Sequence, residues 1–301
     1  MRKSSIWGSV RLIIGSGLVL AVTACTPADV SRKLAGVLPI KTPVPIDDAI
    51  AVGTKVVRSM EDFSPEEEHY IGRAVAATLL SQNRPLNNSG ANHYLNLLGQ
   101  SLARHSSQAG PLGGYHFLLL DSYEINAFAA PGGLILVTRG LAGTAANEEE
   151  LAAVLAHEIA HVELGHGIKA IKSARRTEAL TAVGSLAASQ IRTPAELSAL
   201  TSFFSGAIID IVQTLSVNGY SRSAEYEADK AALVILERAG YPKSALASVL
   251  ERMGPRIASG SGFGKTHPSA EERRKAIGGD SAIPANPVRQ ARFAKAFNSI
   301  R

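Results

Sequence analysis

The chain is 301 residues long and 46% apolar, enough to bury one substantial core or two small ones. Its formal charge is +5, but three of its 31 basic residues and none of its 26 acidic ones fall in the first 24 positions, leaving 28 against 26 beyond them. That near balance, with no dense Lys/Arg patch interleaved with aromatics, argues against a nucleic-acid partner, and a single cysteine, Cys25, excludes an internal disulfide.

Arg2, Lys3 and Arg11 stand ahead of the apolar run Leu12 to Val22, with small residues just before Cys25, so residues 1–24 read as an export signal. The run is too short for a comfortable membrane span. Val22-Thr23-Ala24-Cys25 resembles the lipobox of bacterial lipoproteins. The resemblance implies cleavage before Cys25, lipidation of its thiol and a membrane anchor facing the periplasm. Thr26, where an Asp would favour the inner membrane, points to the outer membrane in a Gram-negative host. Pro27, Pro39, Pro43 and Pro45 make residues 25–60 a lipid-anchored tether, with a weak helix near 47–59.

A folded body is expected over residues 61–280. Ser64-Pro65-Glu66-Glu67 opens it with a capping box and a proline at the first helical position, predicting a helix to about Ser81. A second helix is expected from Ser89 to Arg104. Three β-rich runs follow, Tyr115 to Leu120, Ile125 to Ala130 and Leu134 to Thr138, with a tight reversal at Pro131-Gly132-Gly133. They predict a small antiparallel sheet.

Asn147-Glu148-Glu149-Glu150 then starts a helix: Asn147 caps, Glu150 can close a capping box, and three acids favour the dipole. Leu151, Val154, Leu155, Ile159 and Val162 recur at helical spacing and predict burial. Within it lies His157-Glu158-Ile159-Ala160-His161. Histidines four apart sit about 40° apart around a helix and one turn along it, so both rings reach a single ion. Glu158 projects between them, placed to act as general base toward water polarised by zinc. A catalytic zinc needs a third protein ligand. His166 lies about 140° from His161 and qualifies only if the helix ends at Gly165 and the chain turns back. A histidine six residues after His161 is absent, because Gly167 stands there.

Downstream, Leu180 to Ala188 and Phe203 to Leu215 are apolar, and Thr193-Pro194-Ala195-Glu196 caps the second as a helix; the two read as a hairpin packed over the site. Ser221-Arg222-Ser223-Ala224-Glu225-Tyr226-Glu227-Ala228-Asp229 begins another helix. There Glu225 can ligate while Asp229, one turn on, accepts from a ligand imidazole. Spacing alone does not separate Glu225 from Glu227. His267, in Thr266-His267-Pro268-Ser269, precedes a further helix capped by Ser269 and Glu272. Residues 281–301 read as a C-terminal tail, too short for a helical repeat array.

These motifs together, with Asn126-Ala127-Phe128, Thr138-Arg139-Gly140 and Glu272-Arg273, resemble the M48 metallopeptidases, in family order over about Ser64 to Ile277. The similarity is closest to periplasmic, lipoprotein-type members. It implies a gluzincin: an α+β, mainly helical fold with the small antiparallel sheet over the His157 helix and one zinc per chain on His157, His161 and Glu225. It further implies that Asp229 and Arg222 support the ligands, and that Asn126, Ala127 and Phe128 supply the strand beside which an extended substrate adds. His267 would stand near the metal, either stabilising the oxyanion or occupying the open position. The expected function is a zinc endopeptidase acting on unfolded or misassembled envelope proteins. The alternative is a zinc-binding envelope assembly factor with weak or latent proteolysis.

Overall fold

The computed structural model describes residues 10–14, 18–22, 62–107, 110–173, 206, 208–256, 266–278, 280–298 and 300. Cys25, the tether, the helix near 47–59 and most of the apolar pair between 180 and 207 lie outside the described residues. The chain divides into two units, residues 1–60 with 177–199 and residues 61–176 with 200–301.

In the first unit, β1 (Val10–Ile14) pairs antiparallel with β2 (Leu18–Val22), in register from Val10 opposite Val22 to Ile14 opposite Leu18. The described residues of the apolar run thus fall in two short strands. Among the described residues no helix is long and apolar enough to cross a membrane.

The second unit opens with α1 (Pro65–Gln82), whose Ser64 Oγ accepts from the Glu67 N–H at 3.2 Å while Glu67 Oε2 accepts from the Ser64 N–H at 2.9 Å. In α2 (Ser89–Ala103) the cap is Asn88, whose Oδ1 accepts from the Ala91 N–H at 3.0 Å. Three strands follow: β3 (His116–Leu120), β4 (Ala127–Ala130) and β5 (Leu134–Thr138), in the spatial order β3-β5-β4. The sheet is mixed, not antiparallel: β4 pairs antiparallel with β5 through the Pro131–Gly133 turn, but β3 runs parallel to β5. The chain does reverse after β3, yet it steps across about two strand spacings and leaves the gap for β5 to fill. Turn residues report a reversal and not its width.

Alternation along the strands separates two cores. Phe117, Leu119, Ala127, Ala129, Ile135 and Val137 face α2 and α4 (Glu148–Glu163). Leu120, Phe128, Ala130 and Leu136 face Ile71, Val75 and Leu79 of α1, with Ile168, Ile171, Ile211 and Leu215 beyond. The outer edge of β3 is covered by asparagines of α2, since Leu119 N–H donates to Asn92 Oδ1 at 2.8 Å and Phe117 N–H to Asn96 Oδ1 at 3.0 Å. That leaves β4 as the sheet edge on the opposite side.

A short helix α3 (Arg139–Thr144) leads into α4, which is buried from Glu148 to Val162. After the turn Thr214–Asn218 come α5 (Arg222–Arg238), α6 (Ser244–Met253), α7 (Ala270–Ile277) and α8 (Pro287–Phe297). The stretch read as a tail contains α8, whose Phe293 and Phe297 are fully buried in the core beside α2 and α4. Asn286 caps that helix and Pro287 starts it, a helix signature 11 residues long.

Candidate metal centre

Helix α4 places His157 and His161 one turn apart, and α5 lies along it with Glu225 in its first turn, set by the Ser221 cap. The ring nitrogens His157 Nε2 and His161 Nε2 are 3.0 Å apart. Glu225 Oε2 lies 3.5 Å from His157 Nε2, and Glu225 Oε1 lies 3.3 Å from His161 Nε2. A tetrahedral ion with bonds of about 2.05 Å separates its ligand atoms by about 3.3 Å, so these spacings suit one. His267 brings Nδ1 to 2.6 Å from Glu225 Oε2, and ligand atoms of all four side chains lie within 4.8 Å of one another. Two buried carboxylate oxygens, Glu158 Oε1 and Glu225 Oε1, find no hydrogen-bond donor among the described residues. Groups of that kind are costly to bury unless something else satisfies them. The donor set of two imidazoles and a carboxylate fits zinc.

Residues 90–280 match the family model described as peptidase family M48. The chain belongs to peptidase family M48. It is 32% identical over 163 residues to the beta-barrel assembly-enhancing protease of Escherichia coli K12, covering 53% of this chain and 32% of that one. It is 31% identical over 208 residues to the protein of the same name from Yersinia pestis, covering 69% of this chain and 38% of that one. The mitochondrial metalloendopeptidase OMA1 of Schizosaccharomyces pombe matches at 32% over 155 residues, 50% of this chain and 42% of the relative. The matched region thus spans 32% to 42% of the length of these relatives.

Within this M48 domain Glu225 is fully buried beside the histidine pair, whereas the side chain of Glu227 is 56% exposed. Asp229, one turn below Glu225, sets Oδ1 at 3.0 Å from His157 Nδ1, behind the ring. His166 does not reach the pair's Nε2 side. The helix ends at Glu163, Gly165 takes a left-handed φ of 63°, and the chain becomes helical again from His166. The turn carries His166 to the back of His161, with the two Nδ1 atoms 2.8 Å apart.

Arg222, expected among the ligand supports, lies outside the site: its side chain is 73% exposed and meets Glu272 at 3.4 Å. It is the first residue of α5, on the side turned to solvent. The guanidinium that does enter is Arg273 of α7, 1% exposed, with Nε 3.0 Å from Asp229 Oδ2 and Nη2 2.6 Å from Asp229 Oδ1. Sequence reasoning carried Arg273 only as part of a motif. Its signal was positional: Arg273 follows the Ser269 cap by four residues as Glu225 follows Ser221, and a buried Asp229 needs a cation. Tyr220 was missed as well. Its ring stacks on His161 with centroids 4.4 Å apart and its buried hydroxyl has no partner among the described residues. Gly219 lets the His267 loop approach this tyrosine, because a Cβ there would stand 1.9 Å from the Thr266 carbonyl oxygen.

Asn126, Ala127 and Phe128 are buried at and just before β4, the outer strand of the sheet among the described residues. Asn126 pairs with Thr138, so the alternation turns the Ala127 N–H away from β5. The Asn126 side chain itself accepts from that N–H at 2.9 Å. The turn Thr214–Asn218 packs against β4.

Electrostatics distinguish the members. Burial pushes the Glu158 carboxyl up, only partly opposed by the charges of His157 and His267. Burial and the His157 charge push His161 down to about 3 against the pull of Glu225. For His157, burial and the Arg273 charge act the same way, but hydrogen bonds to Asp229 and Glu225 outweigh them and raise it to about 9. Two imidazoles this close do not both carry a positive charge. Glu225 stays ionised despite burial, held well down by His267, His157 and His161.

Proposed function

We propose that this chain is a zinc-dependent endopeptidase of the gluzincin type, with one zinc per chain held by His157, His161 and Glu225. The observation that carries the reading is the buried set of ligand atoms at 3.0 to 3.5 Å beside a glutamate whose Oε1 has no donor among the described residues. Bound there, zinc supplies a Lewis acid that polarises the scissile carbonyl and acidifies water. Glu158 takes the proton of the attacking water and passes it to the leaving amine. Its raised pKa brings the carboxylate closer to the proton-accepting strength that such a transfer needs near neutral pH. Arg273 and Asp229 hold the His157 ring. Residues Asn126, Ala127 and Phe128 offer the edge along which an extended polypeptide adds, the Ala127 N–H exchanging its contact with Asn126 for a substrate carbonyl.

His267 faces the ligand set from the α7 side. Raised turnover in His267→Ala assigns it to blocking the open position, and lowered turnover assigns it to stabilising the oxyanion. Unchanged turnover and unchanged metal affinity remove it from the site.

The substrate class is unfolded or misassembled envelope protein, supported by the lipobox-like sequence at Cys25 and by the name of the Escherichia coli and Yersinia relatives. Lipidation of Cys25 places the domain at the bacterial envelope, facing the periplasm. Casein cleavage by purified protein, abolished by chelation and restored by zinc, tests the enzyme. The second reading, an assembly factor that works by binding, gains support if Glu158→Gln rescues a deletion strain as well as wild type does.

A further inference from the structure

The two histidines of the metal centre are backed differently. His157 Nδ1 meets the ionised Asp229, which Arg273 holds, at 3.0 Å. His161 Nδ1 meets a second imidazole, His166 Nδ1, at 2.8 Å, and His166 Nε2 in turn stands 3.5 Å from Glu227 Oε2. His161 is 1% exposed and His166 3%, while the Glu227 side chain is 56% exposed, so the series runs from the buried site to the surface.

Proton bookkeeping gives the series a direction. His161 Nε2 is the nitrogen that faces His157 and Glu225, so metal ligation through it leaves the ring proton on Nδ1. Only one of two facing Nδ1 atoms can carry a hydrogen, so His161 donates and His166 accepts. His166 then carries its own proton on Nε2, the nitrogen directed at Glu227. The break at Gly165 is what makes this possible, because on an uninterrupted helix His166 would lie about 140° away from His161.

Resting on the zinc reading above, we propose that His166 is a positioning residue: it fixes the ring orientation and tautomer of His161, with Glu227 fixing the tautomer of His166 from outside. An imidazole-to-imidazole-to-carboxylate relay thus does for His161 what Asp229 does for His157. Partners of this kind change metal affinity by about 10 to 100-fold when removed.

The test uses the purified full chain and a chromophoric chelator competing for zinc. His166→Phe keeps a ring and deletes the acceptor, stranding the His161 N–H in a buried place, and should weaken zinc by about 10 to 100-fold. His166→Asn puts a side-chain oxygen where Nδ1 stood and should return affinity to within about threefold of wild type, a rescue that filling the space would not give. Should the Phe variant fail to fold, nitrogen-15 histidine spectra of the zinc-loaded wild type decide the matter. Protons on His161 Nδ1 and His166 Nε2 support the relay, and a proton on His166 Nδ1 overturns it. Equal affinity in wild type and His166→Phe, or an Asn variant as weak as the Phe one, also overturns it. A wild-type chain that binds no zinc at all overturns the metal reading first, and the relay with it.

Discussion

At the N-terminal end of α4, Glu148 accepts from Tyr94 at 2.5 Å and from Tyr241 at 2.7 Å and pairs with Arg292, while Glu150 takes Ser248 at 2.8 Å and Arg252 at 2.9 Å. Some 15 Å along the same helix, Glu158 is equally buried and its Oε1 has no donor among the described residues. Both ends carry carboxylates out of water, where they cost several kcal/mol each unless compensated. Four arginines and tyrosines from α2, α6 and α8 and the loop at Tyr241 settle the first end as structure. At the second end the buried acceptors face histidines, an arrangement that fits the zinc site proposed above. Identical residue types on one helix therefore divide into fold and function by their partners.

That contrast can be broken in several places, the largest effect coming from the ion. Exhaustive chelation should take peptide cleavage below detection and zinc should restore it; full activity in chelated protein, confirmed metal-free by elemental analysis, would remove the metal from the account. Glu148→Ala comes next, since it strands Arg292 and two buried hydroxyls. It should cost about 3 kcal/mol and lower the melting temperature by roughly 6 to 12 °C, read by calorimetry, with turnover per folded molecule nearly unchanged. A loss of turnover without loss of stability would merge the two ends.

The pH dependence of stability sharpens the same point. Burial raises Glu148, but hydrogen bonds from Arg292, Tyr94 and Tyr241 outweigh it and leave the carboxyl below its ordinary 4.5. A depressed folded-state pKa means the unfolded chain binds the proton more tightly. The contribution is therefore complete above about 4.5 and is lost as pH falls below it. Denaturant titrations between pH 6 and pH 3 should show a shallower decline in Glu148→Gln than in wild type. The smallest effect belongs to Arg222→Ala, which should stay within about 0.5 kcal/mol and leave cleavage intact, because its ion pair with Glu272 is exposed.

How much of this was legible in the sequence depended on the range of the interaction. The Ser64 box, the Asn147 cap and the pairing of His157 with His161 arise within one or two turns of helix, and local chemistry declares them. Glu150 shows the limit of that logic. Its spacing from Asn147 allows a capping box, but its side chain instead accepts from the Ala146 N–H at 2.7 Å and turns toward Arg252. The cations for Glu148 to Glu150 come from more than 100 residues later, which no window reveals. Residues 281–301 looked like a tail for the same reason, because α8 has only the spaced pair Phe293 and Phe297 to show that one face is buried. The parallel pairing of β3 with β5 and the position of His166 behind His161 depend on how chains cross and where a helix breaks, which periodicity does not encode.

The most direct test is Glu158→Gln, followed for zinc content, melting temperature and cleavage of an unfolded substrate in one preparation. One zinc per chain, a melting temperature equal to or above that of wild type, and turnover reduced by about 10² to 10⁴-fold are the expected results. Turnover equal to wild type, with zinc bound and the fold intact, would contradict it.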